Sequence, residues 1–140
     1  MKVNDAMAHT VVTVAPHEDV RTIAEAMRLE GTGFVPVVEN EFLMGVVTDR
    51  DIVMRAVLDD HSDPRDVHAH QVMSTGLTTV GSEDTLEDAA RLMHEHEVRR
   101  LPVVDEAGRL LGVISHGNLV QATAGAGPGL AASLGVTRGA

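Results

Sequence analysis

The chain is written twice. Laying Met7–Val38 over Met73–Val104 aligns two stretches without a gap, so that Met7, Thr13, Val14, Ala24, Met27, Pro36, Val37 and Val38 recur as Met73, Thr79, Val80, Ala90, Met93, Pro102, Val103 and Val104. One added residue near Gly108 then brings Gly45-Val46-Val47-Thr48 opposite Gly112-Val113-Ile114-Ser115. Matching letters fall at matching structural signals, which implies two copies of one small unit, neither able to bury its apolar face alone. At 140 residues the chain has room for one compact domain or two small units sharing a core.

Each copy reads as strand, helix, strand, strand, helix, an α/β (α+β) pattern. Thr10–Val14 is a short β-branched run echoed by Leu77–Val80. Val20, Ile23, Ala24 and Met27 then form a stripe at helical spacing, repeated as Leu86, Ala89, Ala90 and Met93. Asp84 with Glu87 has the spacing of a capping box, and Gly31 and Gly33 lie where the first helix should stop. Val35-Pro36-Val37-Val38 and Leu101-Pro102-Val103-Val104 are strands in which proline lacks a ladder donor, a mark of an edge or of broken pairing. Turns at Glu39-Asn40 and Glu106-Ala107-Gly108 lead to strands Leu43–Val47 and Leu110–Ile114. Short helices begin near Asp49 and His116, the first expected to carry Ile52, Val53 and Val57 inward. The resulting division is a first repeat over 1–58, a hydrophilic connector over 59–70 and a second repeat over 71–122. A Gly/Ala-rich tail over 123–140 has little to pack, apart from a helical turn at Leu130–Leu134.

Composition narrows the chemistry. Hydrophobic residues are 44% but aromatics only 1%, so Val, Ile, Leu, Met and Ala build the core. A formal charge of -10 argues against general nucleic-acid binding and against an anionic membrane surface, both of which need clustered Lys and Arg. There is no cysteine, hence no disulfide, thiolate metal site or thiol nucleophile. The opening MKVNDAMAHT lacks the apolar stretch of a signal peptide and no run is long enough for a membrane span, so a soluble cytoplasmic protein is expected. Eight histidines form no compact ligand set, no Walker loop or GxGxxG occurs, and no catalytic constellation stands out.

Two places remain. In Gly45-Val46-Val47-Thr48-Asp49-Arg50-Asp51 a strand ends in a hydroxyl and a helix begins with a carboxylate three residues on. Thr48 and Asp51 together suit the two hydroxyls of a ribose, and Arg50 suits a phosphate. The same residue types also simply cap helices. Ser115 and Asn118 occupy the equivalent positions in the second copy. Arg99 and Arg100, which replace Gly33 and Phe34 of the first copy, are either an anion site or a solvated pair answering Glu95 and Glu97. His116, beside Ser115, is either a ligand contact or a solvent-facing imidazole.

Taken together, Gly33-Phe34-Val35-Pro36-Val37-Val38 with Gly45–Asp51, and His96–Val104 with Gly112–Asn118, resemble a tandem pair of CBS domains, or Bateman module, over about residues 3–122. The chain looks most like a stand-alone bacterial two-CBS protein. That resemblance implies two repeats related by a pseudo-twofold axis, with clefts between them for an adenosine nucleotide. AMP, ADP or ATP is the leading ligand, with NAD or S-adenosylmethionine less favoured. It assigns Thr48 and Asp51, and Ser115 and Asn118, to ribose, although Asn118 replaces the usual Asp and loses the charge-assisted bond. Arg100, with Arg99, matches a phosphate-contacting position. Val12, Thr13, Val35 and Pro36 form one adenine wall, and Leu77, Thr78, Leu101 and Pro102 the other. It further implies a non-catalytic regulatory module that forms a homodimer and acts on an unidentified protein target. The alternative is a structural or protein-interaction module with vestigial clefts.

Overall fold

The computed structural model describes residues 1–60, 63–124 and 128–135. The elements in chain order are helix α1 (Val3–Ala6), α2 (Val20–Glu30), strands β1 (Phe34–Glu39) and β2 (Phe42–Thr48), and α3 (Asp49–Asp51), continued by a π-helix over Ile52–Asp60. A 3-10 turn (Pro64–Asp66) and α4 (Ala69–Val72) follow, then β3 (Val80–Gly81), α5 (Leu86–Glu95), β4 (Arg100–Val104), β5 (Leu110–Ser115), α6 (His116–Thr123) and α7 (Pro128–Leu134).

The sequence repeats and the compact units are different divisions of the chain. One unit is Val12–Leu77; the other joins Met1–Val11 to the chain from Thr78 onward. In the Val12–Leu77 unit β1 and β2 pair antiparallel, Phe34 opposite Thr48 and Val37 opposite Gly45. Val14 bridges Val37 on the outer side of β1, and Ser74 bridges Val46 on the outer side of β2. The other unit repeats the plan: β3 lies parallel to β4, β4 pairs antiparallel with β5, and Ala8 bridges Val113. Each hairpin is therefore closed by the segment that precedes the other repeat in sequence.

Local chemistry explains the elements. The Asp19 side chain accepts the Thr22 N–H at 2.8 Å and caps α2, while Gly31 ends it with φ 63, a conformation glycine adopts without steric cost. Val20, Ile23 and Met27 of α2 pack with Val35, Val37 and Val47. Full burial of a side chain such as Ile23 contributes about 1.5–3 kcal/mol. The second core gathers Leu86, Ala89, Met93, Leu101, Val103, Ile114 and Leu119 with Val3 and Met7.

Several expectations change. The predicted strand Thr10–Val14 reduces to the Val14 bridge, and Leu77–Val80 to the two residues of β3. The cap of α5 is Thr85 with Asp88, one residue beyond the predicted Asp84 and Glu87, because Asp84 instead accepts the Gly81 N–H. Ala24 is exposed although its counterpart Ala90 is buried. Val53 and Val57, expected inside, are 51% and 57% exposed, and Ala56 takes the inward position. The connector is not wholly hydrophilic packing material, since Val67 and Ala69 join the core. The tail contributes α7, whose Leu134 is 5% exposed and belongs to the second core; residues 125–127 and 136–140 lie outside the described residues.

Candidate functional site

At the end of β2, Thr48 and Asp51 bind each other. The Asp51 N–H donates to Thr48 Oγ1 at 3.1 Å and the Thr48 N–H donates to Asp51 Oδ2 at 2.9 Å, a reciprocal capping box. The Ser74 hydroxyl donates to Asp51 Oδ1 at 3.0 Å, and Arg55 Nη1 lies 3.9 Å from the same oxygen. Arg55 is itself fixed by donating to the Val72 and Met73 carbonyls at 2.9 and 2.8 Å. Asp51 is only 8% exposed, so its charge is held by this network rather than by bulk water. A carboxylate offers about four acceptor positions, and capping therefore coexists with a further donor. Sequence reasoning did not find Ser74 or Arg55, because they reach Asp51 from the bridge segment that follows α4 and from the π-helix, where no motif marks them.

The second copy builds the same corner with an amide. The Asn118 N–H donates to Ser115 Oγ at 3.0 Å and the Ser115 N–H to Asn118 Oδ1 at 2.9 Å. Arg100 is the cross-strand partner of Ser115, just as Phe34 is of Thr48. Both Arg100 and Arg50 are exposed. The Arg50 N–H donates to Asp49 Oδ1 at 2.9 Å.

The duplicated positions next to these boxes differ in charge. In the first copy the Asp49 N–H donates to the Gly33 carbonyl at 3.0 Å; in the second the His116 N–H donates to the Arg99 carbonyl at 2.7 Å. The backbone contact is conserved by the repeat while its side chains are exchanged. Gly33 has no side chain to meet Asp49, and a Cβ there would lie 2.6 Å from Asp49 Oδ2. Arg99 Nη2 lies 3.3 Å from His116 Nδ1. Guanidinium has no acceptor, so in this contact Arg99 is the donor and His116 Nδ1 the acceptor. Asp49 was missed from the sequence; its alignment with His116 was the available signal.

Arg99 and His116 also line a cavity of about 700 Å³, together with Met93, Leu119 and Leu134. Of the proposed adenine walls, Val35 and Leu101 are fully buried in their cores, Pro36 and Pro102 are buried, and Val12, Leu77 and Thr78 are partly exposed. Thr13 is exposed. Leu77 is the last residue of one unit, and the other resumes at Thr78. Among the described residues no three His, Cys, Asp or Glu side chains cluster as a metal site, and no helix is long and apolar enough to cross a membrane.

Comparison with known proteins places these features in a family context. A family model described as CBS domain matches residues 3–57 and 69–125. The CBS domain-containing protein YhcV of Bacillus subtilis (strain 168) is 38% identical over 117 residues, covering 84% of this chain and 81% of YhcV. An inosine-5'-monophosphate dehydrogenase of Korarchaeum cryptofilum is 30% identical over 105 residues, covering 75% of this chain but only 21% of that enzyme. Among solved structures, CBSX2 in complex with AMP is 31% identical with a TM-score of 0.78, covering 87% of this chain and 95% of CBSX2.

Proposed function

Because this chain belongs to the CBS-domain family, as a tandem pair of CBS repeats, we propose that it is a regulatory module that senses an adenosine nucleotide. CBS-domain proteins of this kind are regulatory, not catalytic. The observation that carries the reading is the pair of capping boxes, Thr48 with Asp51 and Ser115 with Asn118, repeated at the ends of β2 and β5. A hydroxyl beside a carboxylate or amide oxygen suits a ribose diol; Arg50 supplies charge for phosphate in the first repeat, and Arg99 and Arg100 in the second. The complex of CBSX2 with AMP supports the choice of ligand class. AMP, ADP and ATP are the leading ligands, ahead of NAD and S-adenosylmethionine.

Calorimetric titration with all five ligands tests this reading. Binding of at least one adenosine nucleotide, weakened at least tenfold by Asp51→Asn, is the expected result. Asparagine preserves the capping acceptor, as Asn118 does, and removes the charge together with the second oxygen that faces Ser74 and Arg55. No binding by any of the five at millimolar concentration would remove the sensor.

A second reading, docking of another copy of the chain or of a protein target, is supported by Val53, Met54, Val57 and Leu58, all exposed on the π-helix. Such a run of exposed apolar side chains favours association. If it forms a homodimer contact, Val57→Glu shifts sedimentation from dimer to monomer without loss of ligand affinity; a monomeric parent protein would overturn the dimer.

A further inference from the structure

The cavity beside Arg99 is walled by three helices of one unit: α5, the first turn of α6, and the last residues of α7. Its volume of about 700 Å³ lies within the range of small-molecule sites. Arg99 and His116 meet at 3.3 Å at one place in the lining, and Met93, Leu119 and Leu134 give it apolar surface. We propose that α7 is the closing wall of a phosphate-recognising site, and that a ligand whose phosphate is held by Arg99 and His116 clamps α7 in its docked position. The identity of the ligand rests on the nucleotide reading above; the role of α7 does not follow from it.

Three observations lead here. First, α7 has seven residues, far fewer than an isolated helix needs for stability in water, so its order depends on what it packs against. Leu134 supplies its buried anchor, with Leu130 and Ala131 partly buried beside it. Second, Arg99 and His116 line the same cavity as the Ala132–Leu134 end of α7, so one ligand in it can touch both, which makes clamping rather than displacement the expected response. Third, the repeat provides an internal contrast. Ala24 is exposed where Ala90 is buried, and Gly33 and Asp49 stand where Arg99 and His116 stand. The first copy thus has Asp49, which repels phosphate, in place of His116, and the device is confined to the second.

The remaining charges limit the ligand. Glu87 and Glu97 line the same cavity as Arg91 and His94, and Arg91 lies 3.4 Å from Asp88 and 3.8 Å from Glu95. Two carboxylates in the lining penalise each added negative charge, so a monophosphate is the chosen probe.

Hydrogen exchange on the full chain, with saturating AMP or saturating adenosine, decides the matter. AMP is expected to slow exchange of the Leu130–Leu134 amides at least tenfold, and adenosine to leave them unchanged. Leu134→Asp, which undocks α7, is expected to weaken AMP about tenfold and adenosine less than twofold. AMP binding with unaltered α7 exchange overturns the clamp while leaving the nucleotide reading intact. Failure of AMP and adenosine to bind overturns the clamp, and the nucleotide reading falls with it only if ADP, ATP, NAD and S-adenosylmethionine fail as well. Should Leu134→Asp not fold, the exchange measurement on the parent protein decides alone.

Discussion

Gly112→Ala is expected to loosen one whole edge of the second sheet. A Cβ at Gly112 would lie 2.3 Å from the Ala8 carbonyl oxygen and 3.0 Å from Met7 Cε. The first neighbour is backbone, so relief requires the Met7–Ala8 segment to retreat by roughly 1 Å to reach ordinary van der Waals separation. That retreat breaks the two bonds of the bridge, from the Ala8 N–H to the Val113 carbonyl at 2.9 Å and from the Val113 N–H to the Ala8 carbonyl at 3.1 Å. At about 1 kcal/mol net for each, the loss is about 2 kcal/mol. Partial exposure of Met7, now buried, adds about 1 kcal/mol. The restriction of the unfolded chain by alanine returns about 0.4–1 kcal/mol. The net cost is about 2–3 kcal/mol, or a fall in Tm of about 10 °C for a chain of this size. Urea unfolding measures it, and amide exchange at Ala8 and Val113 locates it. Gly45→Ala is the matched comparison: its Cβ meets Met73 Sδ at 2.7 Å and the Ser74 carbonyl at 2.8 Å, a smaller overlap with one flexible neighbour. It should cost less, about 1–2 kcal/mol. Gly117→Ala, whose Cβ makes only an ordinary 3.5 Å contact with Ser115 Oγ, should be neutral or stabilising. A Gly112→Ala protein within about 1 kcal/mol of the parent, or less affected than Gly45→Ala, would refute the reasoning.

Asp51→Ala removes the acceptor for the Thr48 N–H and the Ser74 hydroxyl and should destabilise by about 2–3 kcal/mol, against less than about 1 for Asp51→Asn; equal unfolding midpoints for the two variants would contradict this. Ile23→Ala, at a fully buried position, should cost about 2–5 kcal/mol, whereas Ala24→Ser on the exposed neighbouring position should change stability by less than about 0.5, as chemical denaturation reads directly. Asp63 is lowered from its ordinary 3.8 to about 2, first by the hydrogen bonds of the Arg65 side chain and then by the Arg65 N–H. Its folded value is below its unfolded one, so its favourable contribution is complete above the unfolded value and disappears as pH falls through about 2. A carboxyl carbon titration by NMR follows it, and a midpoint at or above 3.8 shows the Arg65 bonds to be absent in solution.

The long periodic features were legible in the sequence because local spacing alone determines them. Val20, Ile23 and Met27 on α2 face inward as their helical intervals require, and the Thr48–Asp51 and Ser115–Asn118 pairs sit at strand ends as their motif requires. Ala24 shows where spacing stops being enough. Its helical phase is that of Ala90, but Ala90 lines the cavity closed by α7 and Ala24 has no such cover. Val53 and Val57 fail similarly: apolar side chains need a surface to turn towards, and the short Ala56 fits the core side of the π-helix. At the candidate site, the capping role of Thr48 and Asp51 could be read from local order, whereas the Ser74 and Arg55 contacts required the fold. The edge strands were overestimated because β-branched residues favour extended backbone without specifying a partner; Val14 finds one in Val37 and Val80 one in Val103.

The bridges at Ala8 and Ser74 have a consequence for biosynthesis. Ala8 has its docking place on Val113, and that strand is made only after the whole Val12–Leu77 unit. The opening segment must wait unpaired through translation of the intervening chain. By contrast, Val12–Leu77 holds Ser74 and its partner Val46 within one short span, and can close as soon as that span has emerged. A nascent chain arrested once Leu77 has cleared the ribosome should therefore already protect Val46 from exchange while Ala8 stays open, giving the two repeated units different birth orders.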